Sequence, residues 1–415
     1  MTISEDLAWR GLIKDKTFED INWLNEPRTF YLGIDAASSD SLTVGNLAVL
    51  ILAGRLIRAG WKGILLAGGA TSLIGDPGGK EEERQLISRE EIKRNVEGIK
   101  SQIEKVLTGI PHELLNNLDW TQDYKYLDFL RDIGKLYSMT ELMQRDFVAE
   151  RIGEGGRGIS YAEFSYSLLQ GYDFWWLFKN KGVVLQIGAS DQWGNMLSGV
   201  PLIRKKENAQ VQAFSMPLVI NKLTGRKFGK SEEGAVWLEA TKTTPFQFYQ
   251  FWINISDADV EEYLKVFSML VKEEIENTMN EFRQNPAARQ AQKVLAYEVT
   301  KIVHGQDQAE KQRHTTEVLF SGEGISELDE SKLATVREEF PNQKVPANSS
   351  IIEALTSTNL AQSNSEARRL LESGAIYING QQINRENFEP GDFQNGRLLM
   401  RRGKAFKDSA LIELI

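Results

Sequence analysis

The sequence predicts an α/β fold: a parallel, doubly wound sheet first, then a helical region, then a small α+β module. Three observations predict it. In the first half, short apolar runs alternate with longer helical patterns. After Pro245 the strand signal stops and amphipathic patterns dominate (FQFYQFWINI, VEEYLKVFSMLV, AQKVLAYEVTKIV). From residue 349 onward, strand signals return beside a short helix.

Residues 28–34 (RTFYLGI) read as a buried strand, and a helical pattern follows from about Leu42 to Ala59. Residues 62–67 (KGILLA) read as the next strand. A glycine-rich loop comes after it, and a charged helix spans about Ser88 to Leu107. Residues 160–179 read as helix, 183–187 as strand and 191–205 as helix. Ligands of such sheets dock outside the carboxyl ends of the strands. Residues 336–348 (VREEFPNQKVPAN) carry two prolines and two asparagines without apolar periodicity, and read as a linker. Beyond it, a helix through Glu366–Ser373 ends at Gly374, a C-cap residue. Ile376–Ile378, an Asn379-Gly380 turn and a terminal hairpin around Gly403 complete the chain. The expected domains are thus 1–240, 241–335 and 349–415, with the linker at 336–348.

At 415 residues the chain is too long for one ordinary core. Apolar residues at 41% and charged residues at 26% fit a globular, soluble protein. No apolar run reaches the roughly 18 residues of a membrane helix. The MTISEDLAWRG start lacks a secretory pattern. Cysteine is absent, which rules out disulfides and thiolate metal sites and suits a cytoplasmic location. His112, His304 and His314 lack metal-ligand spacing, so no protein-bound metal is expected. They also argue against a Ser-His-Asp hydrolase, since none lies near a nucleophile elbow. The net charge of −9 gives no global attraction to nucleic acid, so any RNA contact depends on local basic patches.

Five segments carry candidate chemistry. Tyr31 to Asp35 ends a strand, and Thr43, Gly45 and Asn46 open the helix after it. A helix N-terminus suits phosphate, although a glycine there also serves plain packing. Gly68 to Lys80, with Arg84 beyond, is glycine-dense and contains Asp76; it reads equally as a ligand loop or a solvated surface loop. In EFSYSLLQGYDF, Tyr166, Gln170 and Asp173 share one helical face amid apolar and aromatic residues. Buried without partners, such groups cost about 1–3 kcal/mol each, which a bound polar ligand or an outward orientation would relieve. Asp191 and Gln192 in LQIGASDQWGN sit where a strand passes into a helix, and either Ser190 or Asp191 would also serve as a helix cap. Finally, GRKFGKS places Lys227 and Lys230 on a cationic loop that could meet a transferring phosphate or simply be solvated.

Taken in order and spacing, FSYSLLQGYDF, SDQWGN, KFGKS and FYQFWIN resemble the class I aminoacyl-tRNA synthetases, and among them the bacterial tyrosyl enzymes, over nearly the whole chain. The resemblance implies a Rossmann-like catalytic domain, an anticodon-side helical domain, and, from EARRLLESGAIYING, a C-terminal RNA-binding domain like a ribosomal small-subunit protein. It implies activation of L-tyrosine by ATP with Mg²⁺ and transfer to tRNA(Tyr). By similarity, Tyr31, Asp76, Tyr166, Gln170, Asp173 and Gln192 line the tyrosine pocket, with Asp173 and Tyr31 on the phenol hydroxyl. Asp35, Gly188 and Asp191 lie near the adenylate. Lys80 and Arg84 match pyrophosphate contacts, and Lys227 and Lys230 occupy the family's KMSKS loop.

Thr43, Gly45 and Asn46 occupy the place of the HIGH signature, whose two histidines are replaced here by Thr43 and Asn46. Both replacements can donate hydrogen bonds, so an active enzyme is expected. Arg368, Arg369, Arg401, Arg402 and Lys404 are the expected tRNA contacts, with acids interspersed among them. The resemblance also implies a homodimer through Tyr126 to Phe147 and Tyr161. Two other readings stand beside this one. A synthetase-derived RNA-binding protein without tyrosine activation would explain the altered signature, and the tryptophan enzyme is the nearest relative in class.

Overall fold

The computed structural model describes the chain except residues 77–86, 144–145, 154–157, 221–227, 229, 232–233, 322–324, 326–327 and 404–407. The chain forms two compact units: Met1–Thr243 with Asn254–Val303, and Thr244–Ile253 with His304–Ile415.

The first unit is built on a six-stranded sheet of β1 (Asp15–Lys16), β2 (Thr29–Asp35), β3 (Lys62–Gly68), β4 (His112–Asn116), β5 (Val183–Ala189) and β6 (Gln212–Met216). Its order is β1-β6-β5-β2-β3-β4. All pairings are parallel except that of β1, which runs antiparallel to β6 at the edge. From β2 the chain builds outward through β3 to β4, then returns to lay β5 and β6 on the other side of β2. The order therefore reverses between β2 and β5, which opens a crevice at their carboxyl ends. The continuous burial along β3 suits a parallel strand covered on both faces.

Three helices pack on the sheet, and the first and last of them line that crevice. Val44–Arg58 follows β2, with nearly every residue from Leu47 to Ile57 buried. Arg89–Val106 starts at Ser88, whose hydroxyl accepts from Glu91 N at 3.1 Å, and buries Ile92, Val96, Ile99 and Ile103 on one face. Tyr161–Lys181 is opened by a Ser160/Glu163 capping box and stopped by Gly182 at φ +67°. Helices Val260–Phe267, Lys272–Gln284 and Gln290–His304 follow later in the sequence. Between them and β6 lie two short antiparallel strands, β7 (Lys230–Ser231) and β8 (Gly234–Ala235).

The second unit contains helices Pro245–Ile253, Gln306–Ser321 and Glu330–Glu339 and a five-stranded sheet. Its strands are β9 (Asn342–Val345), β10 (Ile376–Ile378), β11 (Gln381–Ile383), β12 (Arg397–Arg402) and β13 (Ser409–Leu414), in the order β11-β10-β12-β13-β9. The β10–β11 turn is formed by Asn379 (φ +46°) and Gly380 (φ +84°), the left-handed pair that a two-residue hairpin requires.

The linker reading of 336–348 is overturned. This segment holds the end of helix Glu330–Glu339 and strand β9, which pairs in parallel with β13. Leu333, Val336 and Phe340 share a core with Phe246, Leu319, Leu399 and Leu411. Arg337 closes it with a two-pronged pair to Glu413 at 3.0 and 2.7 Å. The prolines sit at the edges of these elements, so their punctuation marks boundaries rather than a spacer. The helices of 241–335 likewise divide between the two units instead of forming one body.

Candidate active site

A cavity of about 340 Å³ occupies the crevice at the carboxyl ends of β2 and β5. Its wall includes Tyr31, Asp35, Thr43, Gly45, Asn46, Asp76, Tyr166, Gln170, Asp173, Gly188, Asp191 and Gln192. The structure thus brings together every described residue expected at the tyrosine and ATP sites. Lys80, Arg84 and Lys227 lie outside the described residues, as does the side chain of Lys230, whose backbone forms part of β7.

The deep end is set by two buried polar groups. Tyr31, on β2, is 1% exposed and Asp173, on helix Tyr161–Lys181, is 3% exposed. Asn117 Nδ2 donates to one Asp173 oxygen at 2.9 Å, and Trp120 Nε1 donates to the other at 2.8 Å. Burial raises the Asp173 carboxyl from its ordinary 3.8 to about 7, against the pull of those two donors. Burial also pushes the Tyr31 hydroxyl well above its ordinary value, with Asp173 and Tyr137 adding to the effect. Among the described residues the Tyr31 hydroxyl has no hydrogen-bond partner. An orphaned buried hydroxyl beside a buried carboxylate is an incomplete arrangement, and a ligand hydroxyl that donates to Asp173 and accepts from Tyr31 completes it.

A second polar group lies along the wall. Asp76 accepts from Gln192 Nε2 at 2.5 Å and from Asn195 Nδ2 at 3.2 Å. This carboxylate suits a small cation. At the mouth, Thr43 caps the helix Val44–Arg58. Its backbone N–H and its hydroxyl both donate to Asn46 Oδ1 at 3.0 Å, which turns the Asn46 amide nitrogen away from Thr43. The same loop is tied to residues 236–238: Val44 N donates to Val236 O at 3.1 Å and Leu238 N to Leu42 O at 2.8 Å. Among the described residues, a Cβ on Gly45 would meet no atom closer than 3.5 Å. Packing against the described residues therefore does not explain this glycine, whereas close approach of a ligand to its backbone does. Asp35 accepts from Ser72 Oγ at 2.7 Å and from Ala37 N at 3.1 Å, which fixes its carboxylate at the rim.

Several lining residues escape the motif reading. Asn117 is buried and fully engaged, accepting from Ala70 N at 2.7 Å while donating to Thr71 Oγ1 and Asp173. Gln186 lies beside Tyr31 in the sheet and is 2% exposed, with its Oε1 unpartnered among the described residues. The signal for Gln186 is a lone amide inside the apolar run VVLQIGA. Asn117 and Trp120 follow β4, a strand too polar in pattern to read from sequence, so nothing marked their position at a strand end.

The expected tRNA contacts lie in the second unit. Arg368 and Arg369 are exposed on helix Asn364–Glu372, and Arg368 is 3.5 Å from Glu386. Arg401 and Arg402 lie on β12, the first over the Tyr377 ring at 5.4 Å, the second paired with Glu366 at 3.1 Å. Lys404 lies outside the described residues. Among the described residues, no group of three or more His, Cys, Asp or Glu is arranged to hold a metal ion. No described helix is long and apolar enough to cross a membrane.

Comparison with known proteins sets these residues in a family. Residues 24–321 match the family model of class I tRNA synthetases for tryptophan and tyrosine, and residues 332–407 match that of the tyrosine–tRNA ligase C-terminal domain. The chain is 42% identical over 416 residues to tyrosine–tRNA ligase 1 of Streptococcus thermophilus, covering 97% of this chain and 98% of that one. The chain belongs to the tyrosyl-tRNA synthetase family. Tyrosine–tRNA ligase of Geobacillus kaustophilus is 43% identical over 396 residues, covering 92% of each chain. Among solved structures, a C-terminally truncated mitochondrial tyrosyl-tRNA synthetase of Aspergillus nidulans superposes with a TM-score of 0.69 at 32% identity, covering 77% of this chain and 94% of that one. The Rossmann-like expectation holds, with β1 as an antiparallel addition at the sheet edge. The C-terminal family model begins at residue 332, inside helix Glu330–Glu339 rather than beyond a linker.

Proposed function

We propose that this protein activates L-tyrosine with MgATP and transfers the tyrosyl group to tRNA(Tyr). The observation that carries the reading is the buried Asp173–Tyr31 pair, an acceptor and a hydroxyl unpartnered among the described residues, at the deep end of the cavity. A substrate phenol satisfies both. Phenylalanine leaves the Tyr31 hydroxyl unpaired, at a cost of about 1–3 kcal/mol, and offers Asp173 no donor beyond Asn117 and Trp120. The ammonium is held by Asp76, Tyr166 and Gln170, and Gln192 orients Asp76. With the ring seated deep, the tyrosine carboxylate faces the mouth, where Asp35, Gly188 and Asp191 receive the adenosine.

The tyrosine carboxylate attacks the α-phosphorus of ATP and pyrophosphate leaves. The substrate supplies the nucleophile, so no enzyme base is needed. Positioning and cationic groups at the phosphates lower the barrier. Asn46 serves as a fixed neutral donor at the helix N-terminus, set by Thr43. Lys80, Arg84, Lys227 and Lys230 are assigned to the phosphates by their place in the motifs. In the second step a ribose hydroxyl at the tRNA 3′ end attacks the tyrosyl carbonyl and AMP leaves. Arg368, Arg369, Arg401, Arg402 and Lys404 are assigned to the tRNA backbone. The reaction belongs in the cytoplasm with its tRNA. Tyr126, Leu127, Met139 and Tyr161 are 57–76% exposed, an apolar set that supports a homodimer through 126–147 and Tyr161.

Tyrosine-dependent ATP–pyrophosphate exchange tests the assignment. Exchange with tyrosine, and none with tryptophan, is expected, with Asn46→Ala depressing it. Absence of exchange alongside intact tRNA binding would leave an RNA-binding protein derived from a synthetase.

A further inference from the structure

Asp173 is oriented by Trp120, and Trp120 is itself held. The indoles of Trp120 and Trp176 stack with centroids 4.1 Å apart and planes within 9°. Trp176 lies one turn beyond Asp173 on the same helix, Tyr161–Lys181, whereas Trp120 belongs to the short helix Leu118–Thr121 that follows β4. The Trp120 N–H donates to Asp173 Oδ1 at 2.8 Å, and that bond requires the indole to lie in one plane. Trp120 is only partly buried, so burial alone does not fix that plane. The broad face of Trp176 does, because near-parallel rings at this distance resist tilting. The neighbouring Trp175 is engaged elsewhere, donating to Glu207 at 2.8 Å.

We propose that Trp176 is a positioning residue for tyrosine selection, acting through Trp120 on the Asp173 carboxylate without touching the substrate. The inference rests on the assignment of Asp173 to the substrate hydroxyl. Stacking of this kind is worth about 0.5–1.5 kcal/mol, which corresponds to about 2- to 10-fold in tyrosine KM.

The test is pyrophosphate exchange on the full chain with Trp176→Leu, Trp120→Phe and the double variant, using tyrosine, phenylalanine and ATP as the varied substrates. Trp176→Leu should raise the tyrosine KM about 2- to 10-fold, while the ATP KM and the phenylalanine kcat/KM stay unchanged. Trp120→Phe removes the N–H and should raise the tyrosine KM by at least as much. The double variant should match Trp120→Phe alone, since Trp176 has nothing left to orient. Trp176→Phe keeps a smaller aromatic face, should give a smaller rise, and carries the test if Trp176→Leu does not fold. Additive effects in the double variant, an unchanged tyrosine KM in the Trp176 variant, or equal losses for tyrosine and phenylalanine overturn the proposal. If Trp120→Phe alone raises the tyrosine KM, the role of Asp173 stands and only that of Trp176 falls. If Asp173→Asn is also silent, the Asp173 assignment fails.

Discussion

Replacing Asp173 by Asn moves catalysis and stability in separable ways. Both carboxylate oxygens accept a buried donor, from Asn117 and from Trp120. An amide offers one oxygen only, so its NH₂ faces one of these donors and leaves it unsatisfied, at about 1–3 kcal/mol. The substrate hydroxyl also loses a charged acceptor, worth about 1.5–3 kcal/mol, or about 10- to 150-fold in tyrosine kcat/KM. Stability follows the carboxyl's titration. Its pKa rises from 3.8 to about 7 on folding. Between those values the native state keeps a proton that the unfolded state has released. The contribution of Asp173 to stability therefore falls as pH rises from about 4 to about 7, and is level above. The whole fall is about 4 kcal/mol at ~1.4 kcal/mol per pH unit. Asparagine has no such titration. Relative to the parent, the Asp173→Asn protein should gain about 3 kcal/mol between pH 5 and pH 8. Pyrophosphate exchange with tyrosine and phenylalanine reads the first effect, and urea unfolding at the two pH values reads the second. Equal losses for both amino acids, or a stability difference that ignores pH, would refute the reasoning.

Three further outcomes are expected. The tyrosine KM should fall as pH rises from 6 to 8, because ionised Asp173 is the better acceptor, and Asp173→Asn should flatten the profile; a steep profile in that variant counts against Asp173 as its source. Gly45→Ala should melt like the parent, since its Cβ meets no described atom closer than 3.5 Å, while the ATP KM rises at least about fivefold from a methyl forced into a packed contact. Removing residues 345–415 should spare pyrophosphate exchange and abolish tRNA charging. The loss of Leu399 and Leu411 from their shared core should also make the truncated protein bind an apolar dye, and intact charging would remove this unit from tRNA recognition.

Motifs locate many of the polar groups at the cavity because those groups sit where strands end and helices begin, and local patterns mark such places. Asp35, Thr43, Asp191 and Gln192 are legible in this way, whereas Tyr166, Gln170 and Asp173 are legible from the one face they share on helix Tyr161–Lys181. Asn117 and Trp120 are not, because their role arises only when β4 docks beside β3 and brings its end to the helix carrying Asp173. The strand itself hides in HELLN, whose half-buried residues give neither alternation nor a continuous apolar run. The reading of 336–348 failed for a related reason. A strand of four residues held by a distant partner needs little local propensity, and the prolines at 341 and 346 bracket it from outside.

The second unit draws its core from two stretches far apart in sequence. Phe246, on the helix Pro245–Ile253, packs with Leu399 and Leu411. During synthesis that helix leaves the ribosome long before its partners exist, with Phe246 and its neighbours awaiting cover. β9 similarly waits for β13, which is made well after it. Such non-local closure slows folding and leaves apolar surface open to wrong partners. Chaperone demand in the cell should therefore track this unit, and a stop codon that removes β13 should cost far more protein than the few residues of that strand.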